Sequence, residues 1–479
     1  MYNREYYTKF LMQLYNTESK RLEKVTPLDG KELKMYCCGP TVYAAAHVGN
    51  FRTFTTQDIL RRVLEHTGSQ EGWTVKHVRN LTDVDDKTIN QALQEKKPLK
   101  EVTEFWTAKF HKDAADLGLL SPHIEPKATE YIPHQIELIQ RLINKGFAYA
   151  GEDKSIYYDV SKNPNPEGRL TFIAPEEVRK PTASKVQKLT RNAADFVLWK
   201  SHKESDGDIL WNSPFGNGRP GWHIECSAMS LATLGETIDI HGGGVDLKFP
   251  HHENEILQSE SASGKCFCKH WAHSEHLLID NEKMAKSLGN TFTLDGLSKL
   301  GWTPTVIHYA LLAAHYRKQL DLTHEGLLAA KQTLSQLQRF RKTLPLTTTP
   351  KASNLFAPVS DALQNDLNTP EALGQLFQII QNPELQKANK AEVAAGFDYV
   401  TGQLLGLDLS KSIEPPLPED IRLLAEQRLQ AKQAKDFSTS DSLRHKIVAK
   451  NYKILDNSSG YTLEHQPIPF DKPAPVLTV

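Results

Sequence analysis

Leu33-Lys34-Met35-Tyr36-Cys37-Cys38-Gly39-Pro40 is the stretch on which the fold turns. Leu33 to Cys38 reads as a buried strand, and Gly39-Pro40 breaks it before a run from Asn50 to about His66 whose apolar residues recur at helical spacing. Gly68 closes that run, and Trp73 to Val78 supplies a second strand. Strand, helix and strand in this order predict a βαβ unit of an α/β fold with a parallel sheet. The loop after Cys38 then stands at a strand's C-terminal end, where such sheets bind ligands.

Outward from this unit the pattern changes from about Lys112 to Trp199. Ile136, Ile139 and Ile143 mark a helix before Gly146, and stretches rich in Pro, Asn and Lys follow, as in an inserted domain. Alternating features return with Ile238-Asp239-Ile240-His241 running into Gly242-Gly243-Gly244, and with Leu277-Leu278-Ile279 running into a polar loop. Beyond Thr303 helical periodicity takes over, interrupted by linkers at Leu346 to Pro350 and Glu414 to Pro418. The expected organisation is a Rossmann-like core in two halves, 1–111 and 206–303, split by an insertion at 112–205. A helical bundle over 304–412 and a small terminal unit over 413–479 complete it.

At 479 residues the chain exceeds one ordinary core, and its 39% hydrophobic and 24% charged content suits a protein that folds throughout. A net charge of −1 neither demands nor forbids RNA, so any basic surface must be local. Cys37, Cys38, Cys226, Cys266 and Cys268 form an odd set in a chain whose start has no apolar signal core, which predicts reduced thiols in the cytoplasm. No run approaches the roughly 20 apolar residues that span a bilayer, so a membrane role is not expected.

Three constellations carry chemistry. His47-Val48-Gly49-Asn50 opens the first helix, where unpaired backbone N–H groups and the helix dipole favour a phosphate; an ordinary βα turn would look the same in isolation. Lys283-Met284-Ala285-Lys286-Ser287 lies in a polar loop with Gly289. Its lysines suit charge developing on a triphosphate, although a solvated lysine turn has the same composition. In Pro250-His251-His252-Glu253-Asn254-Glu255, a helix would put His251 and Glu255 one turn apart on one face. With thiolates from Cys38 and Cys226, borne on separate strand ends, the ligand set would be two sulfurs, one nitrogen and one oxygen, which suits zinc. The bland alternative is buried cysteines beside a polar helix start. The order His-His-Glu is not that of a zinc hydrolase, which would also leave the lysine loop without a purpose.

Along nearly its whole length the sequence resembles the cysteinyl-tRNA synthetases of bacterial type, a class I family. Met35 to Tyr43 is similar to the family's first strand-loop block, Asn80-Leu81-Thr82-Asp83-Val84-Asp85-Asp86-Lys87 to its second, and Gly221-Trp222-His223-Ile224-Glu225-Cys226-Ser227 to its third. Asp239 through Glu255 is similar to the fourth, and 283–287 to the ATP-closing loop. The resemblance implies one zinc ion per chain on Cys38, Cys226, His251 and Glu255, with the substrate thiolate as a further ligand. Thr82 and Trp222 would shape the cysteine pocket. ATP, with magnesium, would meet His47, Asn50, His241, Gly242, Gly243, Gly244, Lys283 and Lys286, of which His47, Asn50, Lys283 and Lys286 would be catalytic. No editing domain is expected, because a soft metal separates cysteine from serine. The helical third would bind the tRNA that decodes cysteine codons, with His315-Tyr316-Arg317 near its start and Lys432, Phe437, Asp441 and Asp456 toward the anticodon; Phe437 as helix core is the plainer alternative. The family also implies a monomer.

Two residues depart from the family's usual wording. Asn50 stands where histidine ends the first motif, and Ala285 replaces serine in the lysine motif. Asparagine still donates a hydrogen bond and both lysines remain, so activity is expected, with ATP affinity the property most exposed to change. Two further readings stay open at this stage. One is an enzyme that joins cysteine to an amino sugar by the same adenylate chemistry, which the helical tail argues against; the other is a silent relative that only binds tRNA or zinc.

Overall fold

The computed structural model describes residues 12–163, 168–171, 190–284, 291–346, 349–458 and 460–470. Its centre is a parallel sheet in which β1 (Glu32–Cys37), α1 (Val48–Glu71) and β2 (Thr74–Arg79) form the expected βαβ unit. After the insertion come α2 (Trp222–Leu234), β3 (Ile238–Gly244), α3 (Glu253–Ser263) and β4 (Cys268–Ser274), giving the strand order β4-β3-β1-β2. Tyr36 lies opposite His241, and His241 opposite Trp271, so the middle of the sheet carries aromatic rings side by side.

The sheet separates two cores. Met35 and Cys37 pack into the larger apolar cluster, while Tyr36 and Cys38 belong to the other. That split follows from the two-residue period of a strand. Helix α1 runs further than the expected stop at Gly68. Gly72 ends it in the left-handed conformation, φ 87°, with its N–H donating to the Gly68 carbonyl. The expected strand Leu277–Ile279 exists but pairs with Glu282–Lys283 and Leu320–Leu322 in a separate small sheet. The fourth main strand is instead Cys268-Lys269-His270-Trp271-Ala272-His273-Ser274, whose polar spelling hides a strand buried at nearly every position.

Helix Leu99–Asp116 runs through the boundary expected at residue 111. The antiparallel sheet of the insertion (Ala148–Ala150, Ile156–Tyr158, Phe196–Ser201, Gly218–Pro220) extends beyond residue 205 as far as the start of α2. Helix Pro304–Leu312 opens at the residue where the helical bundle is expected to start, and it packs into the larger core together with α1. Helix α1 fastens the two together. Arg52 donates to the carbonyls of Leu311, Ala314 and His315, and Arg62 to those of Gly402, Gln403 and Gly118. His315-Tyr316-Arg317 serves the same join, since Tyr316 and Arg317 both donate to the buried Asp366.

His77 of β2 is buried with neither ring nitrogen hydrogen-bonded among the described residues, and burial pushes its pKa well below the usual histidine value. A depressed folded pKa contributes stability that is present above the unfolded value of about 6.5 and is lost as pH falls, at about 1.4 kcal/mol per pH unit. His77→Phe is therefore expected to flatten the fall in thermal midpoint between pH 7.5 and 5.5, measured by scanning calorimetry. An unchanged slope would remove His77 from the account.

Candidate active site

The loop after β1, the start of α1 and the first turns of α2 enclose a cleft of about 360 Å³ lined by Cys38, Tyr43, His47, Asn50, Thr82, Trp222, Cys226, Gly244 and His251 among others. At its floor Cys38, Cys226, His251 and Glu255 are all buried, and their ligand atoms lie within 4.8 Å of one another. The two sulfurs are 3.9 Å apart, Cys38 Sγ is 3.8 Å from Glu255 Oε1, and His251 Nε2 is 3.0 Å from that same oxygen. The ligands of a tetrahedral ion with bonds of about 2.0–2.3 Å sit about 3.3–3.8 Å apart, so the residues fit a zinc ion. The one-turn spacing expected of His251 and Glu255 exists, although the chain reaches it through a wide turn at Lys248–His252 rather than a continuous helix.

Electrostatics make the cluster a single unit. Burial alone would raise the Glu255 carboxyl, yet His241 and His251 draw it down to about 2. Burial would depress His251, but Glu255 and Cys226 raise it to about 10. Burial holds the Cys38 thiol up, while the hydrogen bond from Cys38 favours charge on Cys226. Negative charge on sulfur and carboxylate is thus answered by imidazolium, as buried charge requires. A second group of donors, Cys38, His241, His252 and Glu255, shares two of these residues. His241 and His252 do not line the cleft, whereas Cys38, Cys226 and His251 do, so the first group is the one that a small substrate reaches.

Above this floor His47 caps α1. Its Nδ1 accepts the Asn50 N–H at 3.1 Å, and Asn50 Oδ1 accepts the His47 N–H at 3.1 Å. Asn50 therefore completes a reciprocal cap, a local role that accounts for an amide at this position. Because Nδ1 accepts, the neutral ring carries its proton on Nε2. A Cβ on Gly49 would lie 2.3 Å from the Met284 methyl, and His47 bridges to Thr293, so a residue within the lysine motif and one after it rest on the start of α1. Lys286 and Ala285 lie outside the described residues. Lys283 is exposed on a short strand and does not line the cleft.

The family profile described as "tRNA synthetases class I (C) catalytic domain" matches residues 24–332. The cysteine–tRNA ligase of Opitutus terrae is 49% identical over 463 residues, covering 95% of this chain and 99% of that protein. That of Chlamydia muridarum is 41% identical over 471 residues, 93% of this chain and 98% of its own. The chain belongs to the cysteine–tRNA ligases. Its fold is also that of Mycobacterium tuberculosis methionyl-tRNA synthetase in complex with methionyl-adenylate, at a TM-score of 0.52 and 14% identity over 80% of this chain and 92% of that one. Among the described residues no helix is long and apolar enough to cross a membrane.

For a member of this family, several site residues sit differently from expectation. Cys226 is not at a strand end. Gly221 caps α2, and Cys226 follows Trp222 by one turn of that helix, so both face the cleft. The Trp222 ring, 38% exposed, stacks on His251 with centroids 4.4 Å apart. Thr82 is buried at the cleft wall, its hydroxyl accepting from Asn80 at 3.2 Å. His241 does not reach the cleft. It is wedged against Trp271 and bonded to Glu255 at 3.0 Å, supporting the cluster from behind. The middle glycine also answers a demand from within the fold. A Cβ on Gly243 would lie 2.7 Å from the His252 ring, so the strand is bare there to admit a histidine.

A layer of histidines behind the cluster is not evident from the motifs. His252 Nε2 faces Cys38 at 3.4 Å, its Nδ1 meets His273 at 2.8 Å, and His223 meets His251 at 2.9 Å. The available signal was the alternation His-Trp-Ala-His at 270–273, which puts His273 two residues after Trp271 on one strand face. In the terminal unit Phe437 is 62% exposed at the start of helix Phe437–Ala449, so it is not core. Lys432 and Asp456 pair with each other at 2.8 Å, Arg428 joins them, and Asp441 is exposed. Hydrogen bonds from Arg428 and then Lys432 hold the Asp456 carboxyl well below its usual range.

Gly243→Ala should force the His252 ring aside at a cost of about 1–3 kcal/mol. A lowered thermal midpoint is expected, while Gly374→Ala, where nothing stands within 4 Å of a Cβ, leaves it unchanged or higher. Equal midpoints for the two variants would mean that the histidine layer yields freely.

Proposed function

We propose that the chain activates L-cysteine with ATP and transfers it to the 3′ end of the tRNA for cysteine, with Cys38, Cys226, His251 and Glu255 holding one zinc ion at the cleft floor. The observation that carries this reading is a mixed sulfur, nitrogen and oxygen donor set in which three members open onto the same cleft as His47. Bound there, zinc supplies a soft Lewis acid that prefers a substrate thiolate to a hydroxyl. An apolar pocket would separate cysteine from serine by only about 1–3 kcal/mol.

The residues of the chain do the rest by positioning. Trp222 and Thr82 wall the amino acid's end of the cleft, and Gly244 lines the cleft beyond the histidine layer. The cysteine carboxylate attacks the α-phosphorus of magnesium-bound ATP in line, and pyrophosphate leaves. His47 donates from Nε2 to a phosphate oxygen, and Lys286 balances the charge that develops there. A ribose hydroxyl of the tRNA terminus then attacks the cysteinyl carbonyl, releasing AMP. Exposed Phe437, with Lys432, Asp441 and Asp456 in the same terminal unit, offers an aromatic face to an unpaired base near the anticodon. Free thiols throughout the set of five cysteines suit the reducing cytoplasm, and a monomer suffices for every step.

Cysteine-dependent ATP–pyrophosphate exchange, with and without a zinc chelator and with serine as competitor, tests metal, substrate and reaction together. The expected result is exchange with cysteine only, lost on chelation and restored by zinc; exchange that survives complete zinc removal would refute the metal's role. Lys286→Ala is expected to lower exchange at least about a hundredfold while zinc content stays at one per chain. Phe437→Ala is expected to raise the KM for tRNA in aminoacylation and leave exchange untouched, so a loss of exchange would count against a tRNA role.

A further inference from the structure

Tyr36 has no assigned part in this chemistry, yet it projects from the same face of β1 as Cys38, two residues away, and is fully buried. Its ring tilts onto His241 with centroids 5.3 Å apart, and His241 is itself stacked on Trp271 at 4.7 Å. The ring is therefore fixed from behind. Its hydroxyl is near enough to the donor cluster for Cys226, Cys38 and Glu255 to act on it. No group among the described residues accepts a hydrogen bond from it. A buried hydroxyl left without an acceptor is costly, and phenylalanine would fill the same volume without that cost.

The Cys226 sulfur accepts from the Cys38 thiol at 3.9 Å, and His251 acts on it as well. A sulfur that binds a metal is a thiolate and no longer donates. When both sulfurs hold the ion, Cys226 loses the Cys38 S–H. The buried Tyr36 hydroxyl, without an acceptor of its own, is then a donor at hand for it. We infer that Tyr36 is a positioning residue whose hydroxyl donates to the Cys226 thiolate in the zinc-loaded protein, fixing that sulfur's lone pairs and so the opening left for the substrate. This rests on the zinc reading above. Partners of metal ligands of this kind set affinity by about 10–100-fold, and a donor to a thiolate also reduces its electron donation to the metal.

The test compares Tyr36→Phe with the unaltered chain and with Tyr158→Phe. Tyr158 is a buried tyrosine of the inserted sheet whose hydroxyl meets Ser261 at 2.7 Å and the Leu257 carbonyl at 3.2 Å. Zinc affinity is measured by competition with a chromophoric chelator, and the sulfur-to-cobalt charge-transfer band is recorded on the cobalt-substituted proteins. Tyr36→Phe is expected to weaken zinc by about 10–100-fold and to shift that band, with Tyr158→Phe matching the unaltered chain on both counts. If the unaltered chain binds one zinc and Tyr36→Phe binds it equally well with the same band, the inference falls while the zinc reading stands. Equal losses in both variants would also overturn it, since they would signify general loosening. An unaltered chain that takes up no zinc would overturn both.

Discussion

Two sulfurs, a carboxylate and an imidazole are held together away from water at the floor of one cleft, and each is acceptable there only because the others are present. Removing the histidine would leave negative charge uncompensated; removing the carboxylate would leave His251 and His241 without their common partner. Such a group must be assembled from rigid elements, because an error of an ångström would replace attraction with unpaired charge. The fold meets this with one strand end and two helices. β1 delivers Cys38, α2 delivers Cys226, and α3 with the turn before it delivers His251 and Glu255.

Around that group the histidines form a second layer with a division of labour. His241 braces Glu255, His223 braces His251, and His252 stands between Cys38 and His273. Because every ring is hemmed in by another ring or by Trp271, rotation of one requires rotation of several. The bare backbone at Gly243 belongs to this arrangement as much as the histidines do.

Much of this was legible in the sequence. The run Leu33 to Cys38 announced a strand before a ligand-binding loop, and the four-residue step from His251 to Glu255 announced two donors on one face. The link from those donors to Cys38 and Cys226 came from resemblance, since spacing alone cannot bring residues 188 apart in sequence together. Gly-Trp-His-Ile-Glu-Cys lacks a clear helical period, so a strand end is as readable there as a helix, whereas a glycine cap and packing on both faces make it helical. The strand Cys268–Ser274 was missed for a related reason. Its lysine and histidines imitate a polar loop, and their burial becomes affordable only once the partners on β3 are in place. Phe437 could not be settled from periodicity, because an aromatic residue at the start of an amphipathic helix can face either way.

Helix α1 joins the cleft to the distant bundle. It begins at the His47 cap, and its arginines are buried on bundle carbonyls further along. The bundle is consequently not a detachable module. Excising it would strand two guanidinium groups in an apolar wall, and any lineage exchanging this tail for another would have to rebuild α1 in the same step. The cap beside the cleft and the anchors of the tail are thus the two ends of one rod, and neither can be redesigned without regard to the other.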